Sequence, residues 1–472
     1  MTTLEAPAPT RFAQARGALA HAVVPRTWRG AFELRAADAT IAPALRVGLA
    51  TAVVLVAGGL LGYRELAGFA ALGALAAAFG RYEPYPRLAG KLALVGAGLV
   101  AFVALGGALG AAALPLWVLI GALSLAAGVA SGYMNAFQLL GPGPVILVFA
   151  ATGAAGYSTS WSDVGAVTSA AVVGVLVGWI AAMLPGLVLP LGPARLAAAR
   201  ALVSVGSLER TGRDGVPAAR AALDRAREVL AASGRSRAQR GHGRDLAHLL
   251  DAADEAIEVW IADGDATLIR DIAQHERELR KVKRASALGG VSDRPSPRTE
   301  LPAPHRVLKM ARVNIASTAL RHTAVRVTIA SAAAGWIASA CGLEHPLWAS
   351  MGAIAALQGL NYTQTVQRGI QRLLGNVAGA AIAAGLLAMS LGFWESVAAV
   401  VILQIAAELM VLVNYALTTL AVTPMALVMT GFTSPMTPEA GMTRIVDTLI
   451  GVVIGVVVAA VTVSRTDRHH LA

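Results

Sequence analysis

Long, almost uncharged apolar runs dominate the sequence and restrict the fold that it can adopt. They form two clusters, from about Ile41 to Leu191 and from about Arg321 to Val463, with a polar insert between them. Runs of about 20 apolar residues are long enough to cross the hydrocarbon core of a bilayer as helices. Hydrophobic residues make up 56% of the chain and charged residues only 14%, so one soluble globule is excluded for lack of polar surface.

The runs predict twelve transmembrane helices, six in each cluster. We place those of the first cluster at about 43–62, 65–80, 89–110, 114–132, 139–156 and 165–190. We place those of the second cluster at about 323–341, 346–361, 371–392, 396–414, 416–431 and 444–463. Because the runs lack the alternation of a membrane barrel, the predicted fold class is an all-α polytopic membrane protein.

Matching residues indicate that the two clusters are an internal duplication. Allowing small gaps, a shift of about 280 residues aligns the pairs Arg46/Arg326, Gly62/Gly342, Tyr82/Tyr362, Arg87/Arg368, Lys91/Arg372 and Pro142/Pro424. An even number of helices in each copy implies two parallel repeats, related by an axis along the membrane normal.

Basic residues predict the orientation of these segments. The net charge is +11, and Lys- and Arg-rich loops collect on the cytoplasmic side of membrane proteins. The sequence has no basic stripe interleaved with aromatic residues, the pattern that would indicate nucleic-acid binding. The predicted domains are a cytoplasmic N-terminal segment, a first transmembrane repeat, a cytoplasmic helical domain with its linker, a second transmembrane repeat and a cytoplasmic tail, at 1–40, 41–191, 196–306, 321–464 and 465–472.

Motifs of common enzymatic chemistry are missing from the sequence. It has no GxxxxGK[ST] phosphate loop, no nucleophile elbow and no HExxH pair. The single cysteine, Cys341, is expected to be a small buried apolar residue. We therefore predict no enzyme, no cofactor and no metal site, but a protein whose partner is the lipid bilayer.

One stretch of the second cluster is specific enough to indicate a family. HPLWASMGAIAALQGLNYTQTVQRGIQRLLGNVAGA, from His345 to Ala380, resembles the fusaric acid resistance (FUSC-like) aromatic acid exporter family. The resemblance continues through NYALTTLAVTPMALV and RIVDTLIGVVIG and covers about 140 residues, while the first cluster is a degenerate copy. The residues of the first stretch that carry it are Pro346, Trp348, Gln358, Thr363, Arg368, Arg372, Gly375, Asn376 and Gly379.

This resemblance implies a secondary active exporter in the plasma (inner) membrane, which moves aromatic carboxylates or related small organic anions by proton-coupled alternating access. Two alternatives stay open at this point. One is a passive anion channel on the same fold, and the other is a non-transporting envelope or scaffold protein whose insert binds a partner. The small residues on the helix faces also permit a homo-oligomer.

Glu408 is the candidate for proton coupling. It lies inside the predicted helix 396–414, where an ionisable side chain costs a few kcal/mol unless it is paired or hydrated. Gln404 lies one turn away on the same helix face. The carboxyl group of Glu408 either carries the coupled proton or is a structural group bonded to Gln404 or to a neighbouring helix.

The candidates for substrate binding lie around the same motifs. Arg368 and Arg372 are one turn apart, and a guanidinium pairs with a carboxylate through two parallel hydrogen bonds; the alternative is that they anchor the membrane topology. Asn414 is expected to meet the substrate on the same side. Tyr362 and Trp348 either stack on the substrate's ring or anchor the chain at the membrane interface.

Other charged residues receive structural interpretations. We expect Arg46 and Arg326, at the start of the first helix of each repeat, to anchor the helix at the membrane surface. Asp447 lies close to Arg444 in the last helix, and we interpret it as half of a local ion pair or as a charge that stabilises a helix N-terminus.

Overall fold

The computed structural model describes residues 11–38, 40–234, 241–280, 307–359, 361–433 and 439–463. Within these ranges the regular secondary structure is helical and no strand is present, which confirms the all-α class. Seven of the described helices are long and apolar enough to cross a membrane. The predicted tail 465–472 and the Pro-rich end of the predicted insert lie outside the described residues.

The first apolar cluster forms six main helices. Two short helices precede them, α1 (Arg11–Ala22) and α2 (Pro25–Ala31). The cluster itself consists of α3 (Ile41–Leu60), α4 (Arg64–Ala74), α5 (Tyr85–Ala111), α6 (Leu116–Ala136), α7 (Val145–Tyr157) and α8 (Trp161–Met183), with the single helical turn α9 (Pro185–Val188) after them. We call α3 to α8 the first half.

The second apolar cluster also forms six main helices in the described residues. It consists of α17 (Thr318–Ala340), α18 (Pro346–Ala356), α19 (Tyr362–Ala388), α20 (Phe393–Met410), α21 (Tyr415–Thr430) and α22 (Glu439–Val461), which we call the second half. The lengths are equal at three positions of the order, because the second helix has 11 residues in both halves, the third has 27 and the sixth has 23, while the other three positions differ by three residues each.

In each half, a glycine of the sixth helix allows close packing against the second helix of the same half. A Cβ atom on Gly174 of α8 would lie 1.8 Å from the backbone oxygen of Ala70, in α4. A Cβ atom on Gly451 of α22 would lie 2.2 Å from the backbone oxygen of Ala349, in α18. Both approaches exclude any side chain larger than hydrogen, as expected for small-residue packing between membrane helices.

An arginine side chain of α3 binds the backbone just after the short second helix of the first half. A 3-10 turn, Leu75–Ala78, follows α4. Arg46 Nη2 donates to the backbone oxygens of Ala77 at 2.6 Å and Phe79 at 3.2 Å. The expectation that Arg46 only anchors α3 at the surface therefore misses its contact, which satisfies carbonyl groups that a helix end leaves open.

Three details differ from the sequence-based predictions. Helix α19 begins at Tyr362 rather than near 371, because the Asn361 side chain accepts a hydrogen bond from Gln364 N at 2.8 Å and caps it. Pro424 lies inside α21 whereas Pro142 lies between α6 and α7, so that aligned pair is wrong. Cys341 follows the last residue of α17 and is exposed rather than buried.

The chain divides into two compact units, of which one contains Met1–Phe79, Leu94–Ala181 and Met310–Ala472 and the other contains Gly80–Ala93 and Ala182–Lys309. The described helices between α9 and α17 in the chain are α10 (Gly192–Gly206), α11 (Leu208–Thr211), α12 (Val216–Ala232), α13 (His242–Asp263), α14 (Thr267–Ala273), α15 (His275–Arg280) and α16 (Val307–Ala316). The second unit has its own buried apolar core, which includes Leu202, Leu223, Leu249 and Ile257. Its cytoplasmic position and the bounds 196–306 stay predictions.

Candidate functional site

Buried polar side chains collect along three helices of the second half. In a helix bundle whose other buried residues are mostly Ala, Leu, Val and Ile, such side chains mark a functional site by default. They come from α19, α21 and α22, which pack against one another pairwise through α19. The members, which we call the polar column, are Arg372, Asn376, Thr419, Thr423, Arg444, Asp447 and Thr448.

Asn376 links the three helices at the centre of the polar column. Its Nδ2 donates to Oγ1 of Thr448 in α22, and its Oδ1 accepts from Oγ1 of Thr423 in α21. A Cβ atom on Gly375 would lie 1.9 Å from Oγ1 of Thr419. The absence of a side chain at Gly375 is therefore what lets α21 come close enough for these bonds.

Arg368 and Arg372 both contact the Tyr415 side chain. The Arg368 guanidinium is 4.1 Å from the centre of the Tyr415 ring, a cation–π distance. Arg368 Nη2 also donates to Gln358 Oε1 at 3.1 Å. Arg372 Nη1 donates to the Tyr415 hydroxyl at 3.2 Å, while its Nε is buried without a hydrogen-bond partner in the described structure. The two arginines thus meet at Tyr415, a residue that the helical spacing in the sequence did not indicate.

The corresponding basic pair of the first half is neutralised. Arg87 Nη2 lies 3.2 Å from Glu228 Oε1, and Lys91 pairs with Glu83. By contrast, Arg368 and Arg372 take part in none of the ion pairs between described residues. The second half thus has a basic pair without a carboxylate partner among the described residues.

Asn414 is held by backbone groups of the N-terminal segment. Its Oδ1 accepts from Ala416 N at 2.8 Å and caps α21, and its Nδ2 donates to the backbone oxygens of Ala31 and Glu33 at 3.0 and 3.1 Å. Gln371 Nε2 also donates to Ala31 O, at 2.9 Å. Contact of the Asn414 amide with a substrate would require that this segment move away.

Trp348 lies at the opposite end of α18 from the residues that contact Arg368. The Arg444 guanidinium is 4.7 Å from the centre of its ring, and His345 stacks on it at 4.3 Å. Burial is the main cause that lowers the pKa of His345; the negative charge of Glu344 opposes it in part, and the positive charge of Arg444 adds a smaller lowering effect. The neutral imidazole is thus the form favoured at this position.

A cavity of about 690 Å³ opens beside Trp348. This volume lies in the range of small-molecule binding sites. Its wall contains Phe69 and Phe149 and Tyr157 from the first half, and Glu344, His345 and Trp348 from the second. The cavity therefore offers aromatic faces at the end of the polar column that carries Arg444.

Asp447 is the most isolated charged group of the polar column. Its exposed fraction is 0%, and neither of its carboxylate oxygens has a hydrogen-bond partner in the described structure. Arg444, 6% exposed, attracts it electrostatically without bonding to it. The interpretation of Asp447 as half of a local ion pair is therefore wrong. An acid within an apolar helix is itself a sign of a functional residue, and this was the signal in the sequence that could have identified Asp447.

Glu408 and Gln404 are buried in α20, with exposed fractions of 7% and 4%. Helix α20 packs against α3 and α21, whereas α22 packs against α17, α18 and α19. Tyr362 is also buried, at the start of α19. The structure thus brings Arg372 and Arg368 together, and places Trp348 with Arg444, but it puts Glu408 on a helix outside the polar column.

Comparisons with known proteins point to the same half of the chain. Residues 332–458 match the family described as fusaric acid resistance protein-like. The uncharacterized membrane protein YvaC of Bacillus subtilis (strain 168) is 25% identical over 474 aligned positions, which cover 90% of this chain and 73% of that protein. No solved structure matches the chain. The protein is thus a multi-pass membrane protein, and residues 332–458 in its second half are similar to the fusaric acid resistance protein-like family.

Proposed function

We propose that the protein exports small organic anions, aromatic carboxylates in particular, as a secondary active transporter of the plasma membrane. The observation that carries the proposal is the pair Arg368 and Arg372, which lie within an apolar helix bundle without an ion pair to any described carboxylate. A buried charge without a partner is costly in a membrane. A bound carboxylate would offset that cost through charge-assisted hydrogen bonds.

Alternating access between two parallel repeats is the proposed mechanism. The equal helix lengths and the glycine contacts of Gly174 and Gly451 support a duplicated architecture. Transporters built from such repeats bind their substrates near the bilayer midplane, where the repeats meet. We place both termini and the insert in the cytoplasm, on the charge distribution of the loops.

Glu408 is the proposed proton carrier. It is buried in a helix long and apolar enough to cross the membrane, where a carboxyl group that gains and loses a proton is a common coupling device. Gln404 lies on the same helix face. Arg368, Arg372, Asn414 and Tyr362 are proposed to meet the substrate at the end where α19 begins, and Trp348 at the other end of the path.

Flux measurements in proteoliposomes test this function. Purified full-length protein would be reconstituted with radiolabelled benzoate, and its movement followed with and without an imposed proton gradient. We expect gradient-driven flux in the wild type and its loss in Glu408→Gln, because the amide cannot carry the coupled proton. Glu395→Gln is the matched control, since Glu395 is an exposed acid of the same helix.

Three results would contradict parts of the proposal. Gradient-driven flux that persists in Glu408→Gln would remove Glu408 from the coupling mechanism. Benzoate flux that ignores the gradient in the wild type would identify a passive channel. Absence of flux for benzoate and for other aromatic carboxylates would contradict the transport function itself.

A further inference from the structure

Asp447 is a carboxyl group that lies without a bonded partner inside an apolar bundle. Its exposed fraction is 0%, and neither of its carboxylate oxygens has a hydrogen-bond partner among the described residues. A charged carboxylate in such a place has lost its hydration and has no donor in return, so it costs far more free energy than the neutral acid. The arrangement therefore accommodates Asp447 in its protonated form.

A partner for the charged form of Asp447 lies one turn away on the same helix. Arg444 precedes Asp447 by three residues in α22, and side chains at this spacing are neighbours on a helix. The Arg444 guanidinium instead lies 4.7 Å from the centre of the Trp348 ring, and its Nε has no hydrogen-bond partner among the described residues. Arg444 thus has two sites within its reach, the ring that it contacts and a carboxylate to which it could donate charge-assisted hydrogen bonds.

The other titratable groups around α22 leave Arg444 as the partner of Asp447. Of the charged groups on the described helices, Arg444 is the one that acts electrostatically on Asp447. Helix α18, all of whose residues are described, has no titratable side chain. The remaining groups on helices packed against α22, or beside the cavity at its start, are Arg11, Arg16 and His21 of α1, Arg321, His322 and Arg326 of α17, Tyr362, Arg368 and Arg372 of α19, and Glu344, His345 and Glu439.

The cavity beside Trp348 lies at the same end of α22 as Arg444. Trp348 and His345, whose ring centres are 4.3 Å apart, both line this cavity of about 690 Å³. Ala440 of α22 lines it too, and Asp447 follows Ala440 by seven residues, roughly 10 Å along a helix. Arg444 therefore occupies the turn of α22 between the cavity and the buried acid.

We propose that Asp447 is a second proton-binding residue of the transporter, which holds a proton while Arg444 is stacked on Trp348 and pairs with Arg444 once the proton has left. This inference rests on the proposed function, to which it adds a coupling site inside the polar column. The proton comes from water in the cavity, binds one carboxylate oxygen and leaves to water at the other end of the bundle. Thr448, the next residue, bonds to Asn376 of α19, so a movement of this turn of α22 acts on the helix that carries Arg372.

Infrared difference spectra of the purified full-length protein, recorded while the pH is changed, test whether Asp447 binds a proton. A protonated carboxyl group has a carbonyl stretching band that a carboxylate lacks. We expect the wild type to show a component of this band that is missing in Asp447→Asn and present in Glu395→Gln, the matched control at an exposed acid. In Arg444→Gln the component should persist to higher pH than in the wild type, because the positive charge that stabilises the carboxylate is gone. Gel filtration and thermal unfolding would verify that each variant is folded.

Benzoate movement in proteoliposomes tests whether this proton is coupled to transport. We expect Asp447→Asn to lose the stimulation of flux by an imposed proton gradient, because the amide cannot release a proton. The same variant should still exchange labelled for unlabelled benzoate without a gradient, since its side chain has the size and neutrality of the protonated acid. Replacement of a residue that only stabilises the fold would lower both activities, and Glu395→Gln should lower neither.

Three outcomes would overturn the inference. They are a carboxyl band that is the same in folded Asp447→Asn and the wild type, a band that titrates alike in Arg444→Gln and the wild type, and gradient-stimulated flux in Asp447→Asn at the wild-type level. If Asp447→Asn does not fold, Asp447→Glu takes its place in the spectra, and an unchanged band there would equally count against the inference. The expected spectra without any benzoate flux would reject the proposed function but support Asp447 as a proton-binding residue.

Discussion

At the scale of single residues, Asn376 shows why a polar side chain can be required inside an apolar bundle. Its amide donates to Thr448 and accepts from Thr423, so one side chain links α19 to both α22 and α21. All three residues are buried, with exposed fractions no higher than 2%. Removal of the amide would leave two buried hydroxyl groups without their partners, which costs more than the net value of the bonds.

We therefore expect Asn376→Ala to lower the free energy of unfolding by about 1–3 kcal/mol. Thermal unfolding of the purified protein in detergent would show this as a lower midpoint. Asn135→Ala is a suitable control, because Asn135 is exposed in the first half and its replacement should change stability by less than about 0.5 kcal/mol. Equal midpoints for Asn376→Ala and the wild type would show that the three-helix link contributes nothing.

Sequence patterns located the important residues better than they described their contacts. The apolar runs predicted the six main helices of each half. Seven of the described helices are long and apolar enough to cross a membrane, so the expectation that all twelve cross it stays a prediction. The pairing of Arg368 with Arg372 followed from helical spacing. The contacts of Tyr415 with this pair and of Trp348 with Arg444 could not be predicted, because they depend on how α18, α21 and α22 pack around α19. The same limitation made Asp447 look like a partner of Arg444.

At the scale of helices, close glycine contacts set how the sixth helix of each half crosses the second. Gly451 packs its Cα against α18, where an added Cβ would lie 2.2 Å from Ala349 O and 2.9 Å from Gly352 Cα. Both obstacles are backbone atoms, which cannot rotate away. Helix α22 also carries Arg444 and Asp447, so the position of the polar column depends on this crossing.

Gly451→Ala should therefore force α22 away from α18 and destabilise the protein by about 1–3 kcal/mol, the usual cost of overpacking. Thermal unfolding in detergent would measure the loss. Gly385→Ala in α19 is the matched control, because no atom lies within 4 Å of a Cβ at that position, and there the added methyl should be neutral or slightly stabilising. A wild-type midpoint for Gly451→Ala would contradict the close crossing.

At the scale of the whole molecule, the two halves share a helix plan but not a polar column. The glycine contacts align Gly174 with Gly451, and this register pairs Arg444, Asp447 and Thr448 with Val167, Ala170 and Ala171. The basic pair of the first half is neutralised by Glu83 and Glu228. The charged and polar residues of the polar column thus have no counterparts at these positions of the first half, which supports our proposal that the second half binds the anion.

The most direct test of this account is the rate of benzoate transport by Arg372→Gln in proteoliposomes, beside the wild type and the exposed-arginine control Arg321→Gln. Arg372 is the buried member of the arginine pair on which the proposed function rests. We expect saturable transport by the wild type and by the control, and a loss of about tenfold or more in folded Arg372→Gln. Transport by Arg372→Gln at the rate of the wild type would contradict it.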